Sequence, residues 1–305
     1  MALKTWLGGN VGNTGDYSVA ANWEEAAIPA TNDEVLIPAH AVYDINAGLN
    51  QAAVAIENFT VEEGFSKNIG TTTAYLQLNI SGSGTNYFRY SGNGSMARIN
   101  FGASAITPEV RNTGAPNLGQ HALEIKGTAL TGLHLFKGNV GLGVAPGDAT
   151  TQCDKILVSY LDDSTRAAGA WLEIGEAITD NSTNPLDIDQ TGGIIYNHAA
   201  ADALNITNSI YHQVRSTWTT MNAHGSASIF LHVGGGTNAT SRLYGSSSFK
   251  LLQPNATTFT NVTCYRGTRW WDEQLSGTYS TPIFCPDGIH TVNTDFGPNR
   301  NLAVT

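Results

Sequence analysis

Short runs of alternating apolar and polar residues dominate the chain from about residue 35 to residue 263. Each run is bounded by Gly, Asn, Ser, Asp or Thr, which are common turn residues. The clearest runs are 35–37, 75–80, 123–125, 133–136, 156–161 and 229–233. Because a period of two predicts strands and helical periodicity is almost absent, the chain is predicted to be all-β.

A Leu-polar-Ile unit recurs within this pattern. It helps to choose between the possible architectures, which are a β-sandwich or jelly roll, a propeller and a parallel β-solenoid. Residues two apart in a strand share a face, so each unit turns Leu and Ile inward and its polar residue outward. Stacked, such units predict an aliphatic ladder. They are Leu78/Ile80, Leu123/Ile125, Leu172/Ile174, Leu186/Ile188 and Leu204/Ile206.

The units are unevenly spaced along the chain. The first three are separated by long intervals, which are compatible with pairs of coils. The last three are separated by short intervals, which fit single coils or neighbouring sides of one coil. Insertions of variable length fit the corner loops of a solenoid. The sequence therefore predicts a right-handed parallel β-helix, with a β-sandwich or jelly roll as the alternative.

Three regions differ in composition. Residues 1–40 contain Trp6, a Gly/Asn-rich loop and Trp23, and are expected to form an N-terminal cap or attachment segment. Residues 41–263 are expected to form the solenoid body, with about ten coils at roughly 20–25 residues per coil. Residues 264–305 are rich in aromatics, Pro and Gly, which predicts a C-terminal aromatic cap followed by an irregular interaction tail.

The overall composition fits this fold and excludes others. Only 13% of the 305 residues are charged, 33 are Gly and the net charge is −10. Helical bundles need more charged residues on their outer faces, whereas stacked strands carry uncharged Asn, Ser and Thr without repulsion between like charges. The few Lys and Arg residues argue against nucleic acid as a partner. No secretory signal or membrane-spanning run is recognised, so the protein is expected to be soluble.

No catalytic centre emerges from the reactive residues. Asp187 and Asp189 flank Ile188 on one outward face about 7 Å apart, a separation within the range of inverting glycoside hydrolysis, although a solvated pair beside a turn explains them too. Other carboxylate candidates are Asp162-Asp163 and Asp287. Short motifs similar to those of pectin-cleaving hydrolases occur, but in the wrong order. No nucleophile elbow, phosphate loop or metal-ligand spacing is present. We predict no enzyme activity, no cofactor and no metal.

Cysteine use is equally uninformative about chemistry. Cys153, Cys264 and Cys285 are too few for a disulfide framework or a zinc ribbon, and buried thiols are the simplest interpretation. Only Cys264 with Cys285 is a pair worth testing.

The aromatic C-terminal region offers binding residues instead. Adjacent residues of a strand point to opposite sides, so one residue of Trp270-Trp271 is expected inside and the other is available for contact. The candidate partner-binding residues are Trp270, Trp271, Tyr279, Phe284 and Phe296. Under an alternative interpretation, Asp187, Asp189 and Trp271 form a carbohydrate-binding face.

The N-terminal region carries a resemblance. Its order is Trp6, a Gly/Asn loop, Asp16-Tyr-Ser, Asn22-Trp, Pro29 and then Asp33-x-Val-x-Ile. This order resembles the opening of β-helical surface and virion proteins, and the chain is most similar to accessory proteins of tailed phages that decorate or cement capsids, or form head fibres.

The resemblance implies a non-enzymatic virion protein, made in the host cytoplasm, that bridges neighbouring subunits of the shell. Its partner would be the major capsid protein or another shell protein. A homo-oligomer is implied, with a trimer natural at three-fold positions of a capsid. The alternatives are a carbohydrate-binding or carbohydrate-cleaving receptor-binding spike and a bacterial surface adhesin.

Overall fold

A computed structural model describes residues 1–115, 120–146, 148, 150–160, 169–180, 184–232, 236–252, 257–272 and 277–286, and the backbone of 291–292 and 302–304. These residues form 27 strands in two sheets and one short 3-10 helix, Ala20–Asn22.

Among the described residues, the first sheet contains fifteen strands. They are β1 (Leu3–Thr5), β2 (Glu34–Ile37), β4 (Asn58–Val61), β6 (Tyr87–Tyr90), β8 (Glu109–Val110), β10 (Leu133–Leu135), β12 (Lys155–Ser159), β14 (Leu186–Thr191), β16 (Ala201–Thr207), β18 (Trp218–His224), β20 (Gly236–Leu243), β22 (Thr257–Cys264), β24 (Thr278–Tyr279), β25 (Ile283–Cys285) and β27 (Leu302–Val304).

In the part of the chain that the structure describes, the second sheet contains twelve strands. They are β3 (Asn50–Ile56), β5 (Leu76–Ile80), β7 (Ala97–Asn100), β9 (Leu123–Lys126), β11 (Gly138–Leu142), β13 (Ala170–Ile174), β15 (Ile194–Asn197), β17 (Ile210–Gln213), β19 (Ser228–Leu231), β21 (Ser248–Leu251), β23 (Arg269–Trp271) and β26 (Thr291–Val292).

The chain alternates between the two sheets, and every pair of these strands is parallel. A sandwich or jelly roll is antiparallel, so this pairing confirms the predicted parallel β-helix. Ten strands of the first sheet, β4 to β22, span the region expected to form the solenoid body, in agreement with the expected ten coils.

The Leu-polar-Ile units all turn Leu and Ile into the core, but they do not form one ladder. Three units lie in the second sheet, on β5, β9 and β13, and two lie in the first sheet, on β14 and β16. Each of the two long intervals therefore spans two coils. The interval from β13 to β14 joins neighbouring sides of one coil, and the interval from β14 to β16 spans one coil. The units therefore contribute to two aliphatic ladders, one in each sheet, because both sheets bury the same residue types.

A column of residues with positive φ makes one corner of the C-terminal coils. Asn208, Gly225, Gly245 and Gly267 have φ of 49°, 63°, 67° and 88°. A Cβ on Gly267 would lie 2.7 Å from the Gly245 carbonyl oxygen, so this corner needs glycine for space as well as for φ. Gly94 has no positive φ. It is instead required by its close approach to the carbonyl oxygen of Lys67.

Three buried aromatic residues fill the N-terminal coil. Trp23 packs edge-on against Trp6 and Tyr17, with ring centroids 5.2 and 4.7 Å apart, and its Nε1 donates to the Tyr17 carbonyl oxygen. This arrangement buries the large rings that the N-terminal sequence contributes and satisfies the indole N–H of Trp23.

The same N-terminal segment covers the outer edge of β1. The Thr5 N–H donates to the Glu25 carboxylate, the Glu24 N–H donates to the Thr5 carbonyl oxygen, and Trp6 forms an antiparallel bridge with Trp23. Unpaired backbone groups at a sheet edge invite pairing with another chain. At Thr5 these groups already have partners within the molecule.

Candidate functional site

Asp187 and Asp189 both point outward from β14, and Asp189 belongs to a polar row that crosses several coils. Lys155 Nζ lies 2.5 Å from Asp189 Oδ2, Asn205 Nδ2 donates to Asp189 Oδ1 at 2.8 Å, and Asn222 continues the row by donating to Asn205 at 3.1 Å. Asp187 accepts a hydrogen bond from a main-chain N–H of β16. These side chains cross-link neighbouring coils on the outside of the first sheet.

This environment does not suit Asp189 for acid catalysis. Partial burial opposes its ionisation, but the hydrogen bonds from Lys155 and Asn205 outweigh it and lower the pKa of Asp189 below its ordinary value. An inverting glycosidase needs one carboxyl group with a raised pKa to act as general acid. Asp162-Asp163 and Asp287 lie outside the described residues.

Trp271 lies on the other sheet from the two aspartates. It points outward from β23 and is half-buried, with Lys250 Nζ 6.0 Å and Arg269 Cζ 5.9 Å from its ring centroid. Asp187 and Asp189 lie on β14 of the first sheet. The structure therefore does not bring the three residues of the candidate carbohydrate-binding face onto one sheet.

The other candidate partner-binding residues have different surroundings. Trp270 is fully buried, stacks on Phe249 at 4.0 Å, and donates from Nε1 to the Tyr279 hydroxyl at 2.8 Å. Tyr279 is partly buried against the core, while Phe284 is 44% exposed. Phe296 lies outside the described residues.

The three cysteines are buried free thiols. Cys264 and Cys285 lie on the neighbouring strands β22 and β25 but are not bonded to each other. Burial raises the pKa of Cys264 to about 12, with a smaller contribution from Cys285. A thiol with so high a pKa is a poor nucleophile at neutral pH.

The outward face of the second sheet carries a column of stacked rings, which we call the aromatic ladder: Tyr196, His212 and Phe230. These residues occupy aligned positions on β15, β17 and β19. The ring centroids of Tyr196 and His212 are 4.3 Å apart at 3°, and those of His212 and Phe230 are 4.8 Å apart at 14°. Each inner ring face is covered by the next ring, so the ladder turns ring edges to the solvent.

Glu173 lies one coil before the aromatic ladder and binds two histidines. His121 Nε2 is 3.3 Å from Glu173 Oε2, and His198 Nε2 is 3.1 Å from Glu173 Oε1. Gly141 precedes Glu173 in the column, and a Cβ there would lie 2.5 Å from the His121 ring. The missing side chain therefore makes room for His121. Its contact and that of His198 lower the pKa of Glu173 to about 2, against the effect of burial.

A second ionic cluster occupies the N-terminal half of the same column. Glu124 Oε1 is 2.9 Å from Arg98 Nη2, and the Tyr75 hydroxyl donates to Glu124 Oε2 at 2.6 Å. Arg98 also donates from Nη1 to the Thr72 carbonyl oxygen. The side chains of Arg98 and Glu124 are only 15% and 8% exposed. Although Glu124 points outward, its neighbours cover it.

Neither cluster could be predicted from the sequence. The Leu-polar-Ile pattern identifies Glu124 and Glu173 only as outward residues, and the histidines show no regular spacing. His121 and His198 lie far from Glu173 in the sequence, one before it and one after it, and meet it only because the coils stack. Among the described residues, no group of three His, Cys, Asp or Glu side chains is arranged to hold a metal ion.

The histidines predict a loss of stability in acid. Burial, with a smaller effect from His232, lowers the pKa of His212 to about 4, and its Nδ1 lies 2.7 Å from His232 Nε2. Unfolding restores an ordinary pKa of about 6.5, so the unfolded state binds more protons between pH 6.5 and 4. The stability that neutral His212 contributes is therefore fully present above pH 6.5 and is lost as the pH falls from 6.5 to 4.

We expect His212→Phe to flatten this pH dependence, because phenylalanine keeps the stacking between Tyr196 and Phe230 but cannot be protonated. Urea denaturation at half-unit steps from pH 7.5 to pH 4 measures the slope. His40→Gln, at an exposed position, is the control and should follow the wild-type slope. An unchanged slope in His212→Phe would assign the acid sensitivity to other groups.

Comparisons with protein-family models, curated proteins and solved structures find no match for this chain. Among the described residues, the structure contains no helix that could span a lipid bilayer.

Proposed function

We propose that this protein is a non-enzymatic structural component of a phage particle that decorates or cements the capsid by bridging neighbouring subunits. The observation that carries the proposal is the single hydrophobic core that runs from Trp6 to Cys285. Fourteen successive strands of the first sheet, stacked about 4.8 Å apart, give a continuous rod of about 60 Å. A stiff rod of this length is suited to contacting more than one subunit of a shell.

The outer faces support a structural role. Asp189, Glu173, Glu109 and Asp148 are the described carboxyl groups with shifted pKa values, and each is lowered by cationic or hydrogen-bonding partners. Such carboxylates stay charged at neutral pH and cross-link coils. A general acid would instead need a raised pKa.

The N-terminal residues that carry the resemblance to phage accessory proteins also have structural roles here. Trp6, Tyr17 and Trp23 fill the first coil, and the Asn22 side chain donates to the carbonyl oxygens of Asn13 and Asp16. The motif therefore forms a folded end of the rod, which is the role that the resemblance implies for it. On this proposal the partner is the major capsid protein or another shell protein, the protein resides in the virion, and three copies meet at three-fold positions.

The glycan-binding alternative has weaker support from the same surface. Sugars stack on exposed faces of aromatic rings. In the aromatic ladder the inner ring faces are covered by neighbouring rings, and two cationic side chains lie close to the Trp271 ring. We therefore place the structural role first.

Purified protein mixed with phage shells that lack it tests the proposal. We expect saturable co-sedimentation with the shells and a rise in the temperature at which they disrupt. Bovine serum albumin at the same concentration is the control. The proposal would be contradicted if the protein did not bind the shells and did not raise the temperature at which they disrupt. A positive glycan array or reducing-sugar assay would favour the spike alternative.

A further inference from the structure

Exposed apolar side chains concentrate at the N-terminal end of the rod. Eight large hydrophobic residues of the described chain are exposed, and all but Phe284 lie between Met1 and Tyr43. Val11 is 95% exposed, Val42 61% and Leu7 38%. Leu7 and Val42 belong to adjoining segments, because Trp6 Nε1 donates to the Tyr43 carbonyl oxygen. Scattered exposed hydrophobics need no explanation, but a concentration at one end marks an interaction surface.

The same end carries most of the net charge. Residues 1–66 contain one basic residue, Lys4, and nine acidic residues, which gives −8. The rest of the chain contains 14 basic and 16 acidic residues, which gives −2. Among the described residues, none of the nine N-terminal carboxylates forms an ion pair, whereas all eight ion pairs involve residues from Arg89 onward.

From this coincidence we infer that residues 1–66, which we call the attachment end, bind a protein surface with an apolar centre and a rim of Lys and Arg. The inference rests on the proposed function, in which that surface belongs to the shell. Apolar side chains at the centre of an interface supply affinity, while complementary rim charges speed and orient the encounter.

The charge also separates this partner from others. Two attachment ends would bring −8 against −8, so a second copy of the chain is disfavoured at this site. Anionic lipid and nucleic acid would be repelled for the same reason. Pairing of a foreign strand with β1 is blocked at Thr5, where Glu24 and Glu25 occupy the backbone groups. At Thr5 the partner therefore docks through side chains.

Two pairs of variants test the attachment end. Leu7→Ser/Val42→Ser removes apolar contacts, and Glu24→Gln/Glu63→Gln removes two charges at exposed positions. The matched controls are Leu157→Ser/Ile194→Ser, at two partly exposed apolar positions of the body, and Asp187→Asn/Asp202→Asn, which removes two charges from the body. Thermal denaturation checks that each variant is folded.

Binding to phage shells is measured at low and at high NaCl concentration. We expect each N-terminal variant to bind at least tenfold more weakly at low salt, and the charge variant to lose most of the salt dependence, while both controls stay within twofold of wild type. If wild type binds shells and the N-terminal variants bind equally well, this inference is overturned and the proposed function stands.

If the wild-type protein does not bind shells, the proposed function fails. A surrogate probe then tests whether residues 1–66 are a binding surface. The probe is a synthetic amphipathic peptide of leucine and lysine, with a serine and lysine peptide of equal charge as its control. Hydrogen-exchange protection confined to residues 1–66 with the leucine peptide alone supports the inference. Equal binding of both peptides, protection elsewhere, or co-flotation with phosphatidylcholine and phosphatidylglycerol vesicles overturns it.

Discussion

Replacing Trp270 with alanine is expected to lower the free energy of unfolding by about 3–5 kcal/mol, the range for large aromatic-to-alanine changes in cores. Its ring is fully buried, stacks on Phe249 at 4.0 Å and meets Phe259 edge-on at 5.2 Å. The substitution also removes the donor to the Tyr279 hydroxyl. Both losses fall on the last coils of the rod, where a coil has fewest neighbours to support it.

The adjacent Trp271→Ala is the matched control. Its half-buried ring lies outside the core, near Lys250 and Arg269, and such exposed cation–π contacts contribute about 0.5–1 kcal/mol. Urea denaturation followed by far-UV circular dichroism measures both variants without depending on tryptophan fluorescence. Equal costs for the two variants would show that the inward and outward assignments are wrong. A loss of shell binding in Trp271→Ala alone would identify it as a contact residue.

Replacing Arg98 with methionine is expected to lower the free energy of unfolding by about 3–5 kcal/mol, because removing one partner of a buried ion pair leaves an uncompensated charge. Glu124 is the group left behind, with 8% of its side chain exposed and, among the described residues, only the Tyr75 hydroxyl still donating to it. Methionine keeps much of the aliphatic length of arginine, so the cost reports on charge more than on volume.

A double-mutant cycle separates the pair from its surroundings. Glu124→Gln alone leaves Arg98 with its bond to Thr72, and we expect a smaller cost than that of Arg98→Met. The double variant Arg98→Met/Glu124→Gln should be less unstable than the sum of the single variants, by at least about 1 kcal/mol. Additive costs would mean that the two side chains contribute independently. Arg111→Met, at an exposed ion pair, is the matched control and should cost less than about 1 kcal/mol.

The architecture could be predicted because the relevant signals are local. Alternation sets which side chains face inward, and turn residues mark the corners, so the strands and the class of fold follow from neighbouring residues. The sheet to which each Leu-polar-Ile unit belongs did not follow. Leu172 and Leu186 are equally buried and close together in the sequence, yet they lie on different sheets. Assignment to a sheet depends on the length of each corner loop, which local pattern does not encode.

The outward columns were hidden for a related reason. Glu173, Tyr196, His212, Phe230 and Lys250 share one column, but the sequence separation between successive members changes from coil to coil. With no fixed period, the alignment of these residues emerges only when the coils are stacked. The concentration of acid in residues 1–66 is visible in the sequence alone, whereas the exposure of the apolar side chains beside it required the fold.

The covered edge of β1 limits how this protein multiplies its contacts. A solenoid with an open end adds further chains by continuing its own hydrogen-bond ladder, and such growth has no fixed size. With Thr5 occupied by Glu24 and Glu25, addition at that point is closed. On the proposed function, strand addition at this point adds no copies beyond the sites that the shell offers. Excess protein would stay free in solution, which makes the occupancy of the shell saturable and independent of the order in which copies arrive.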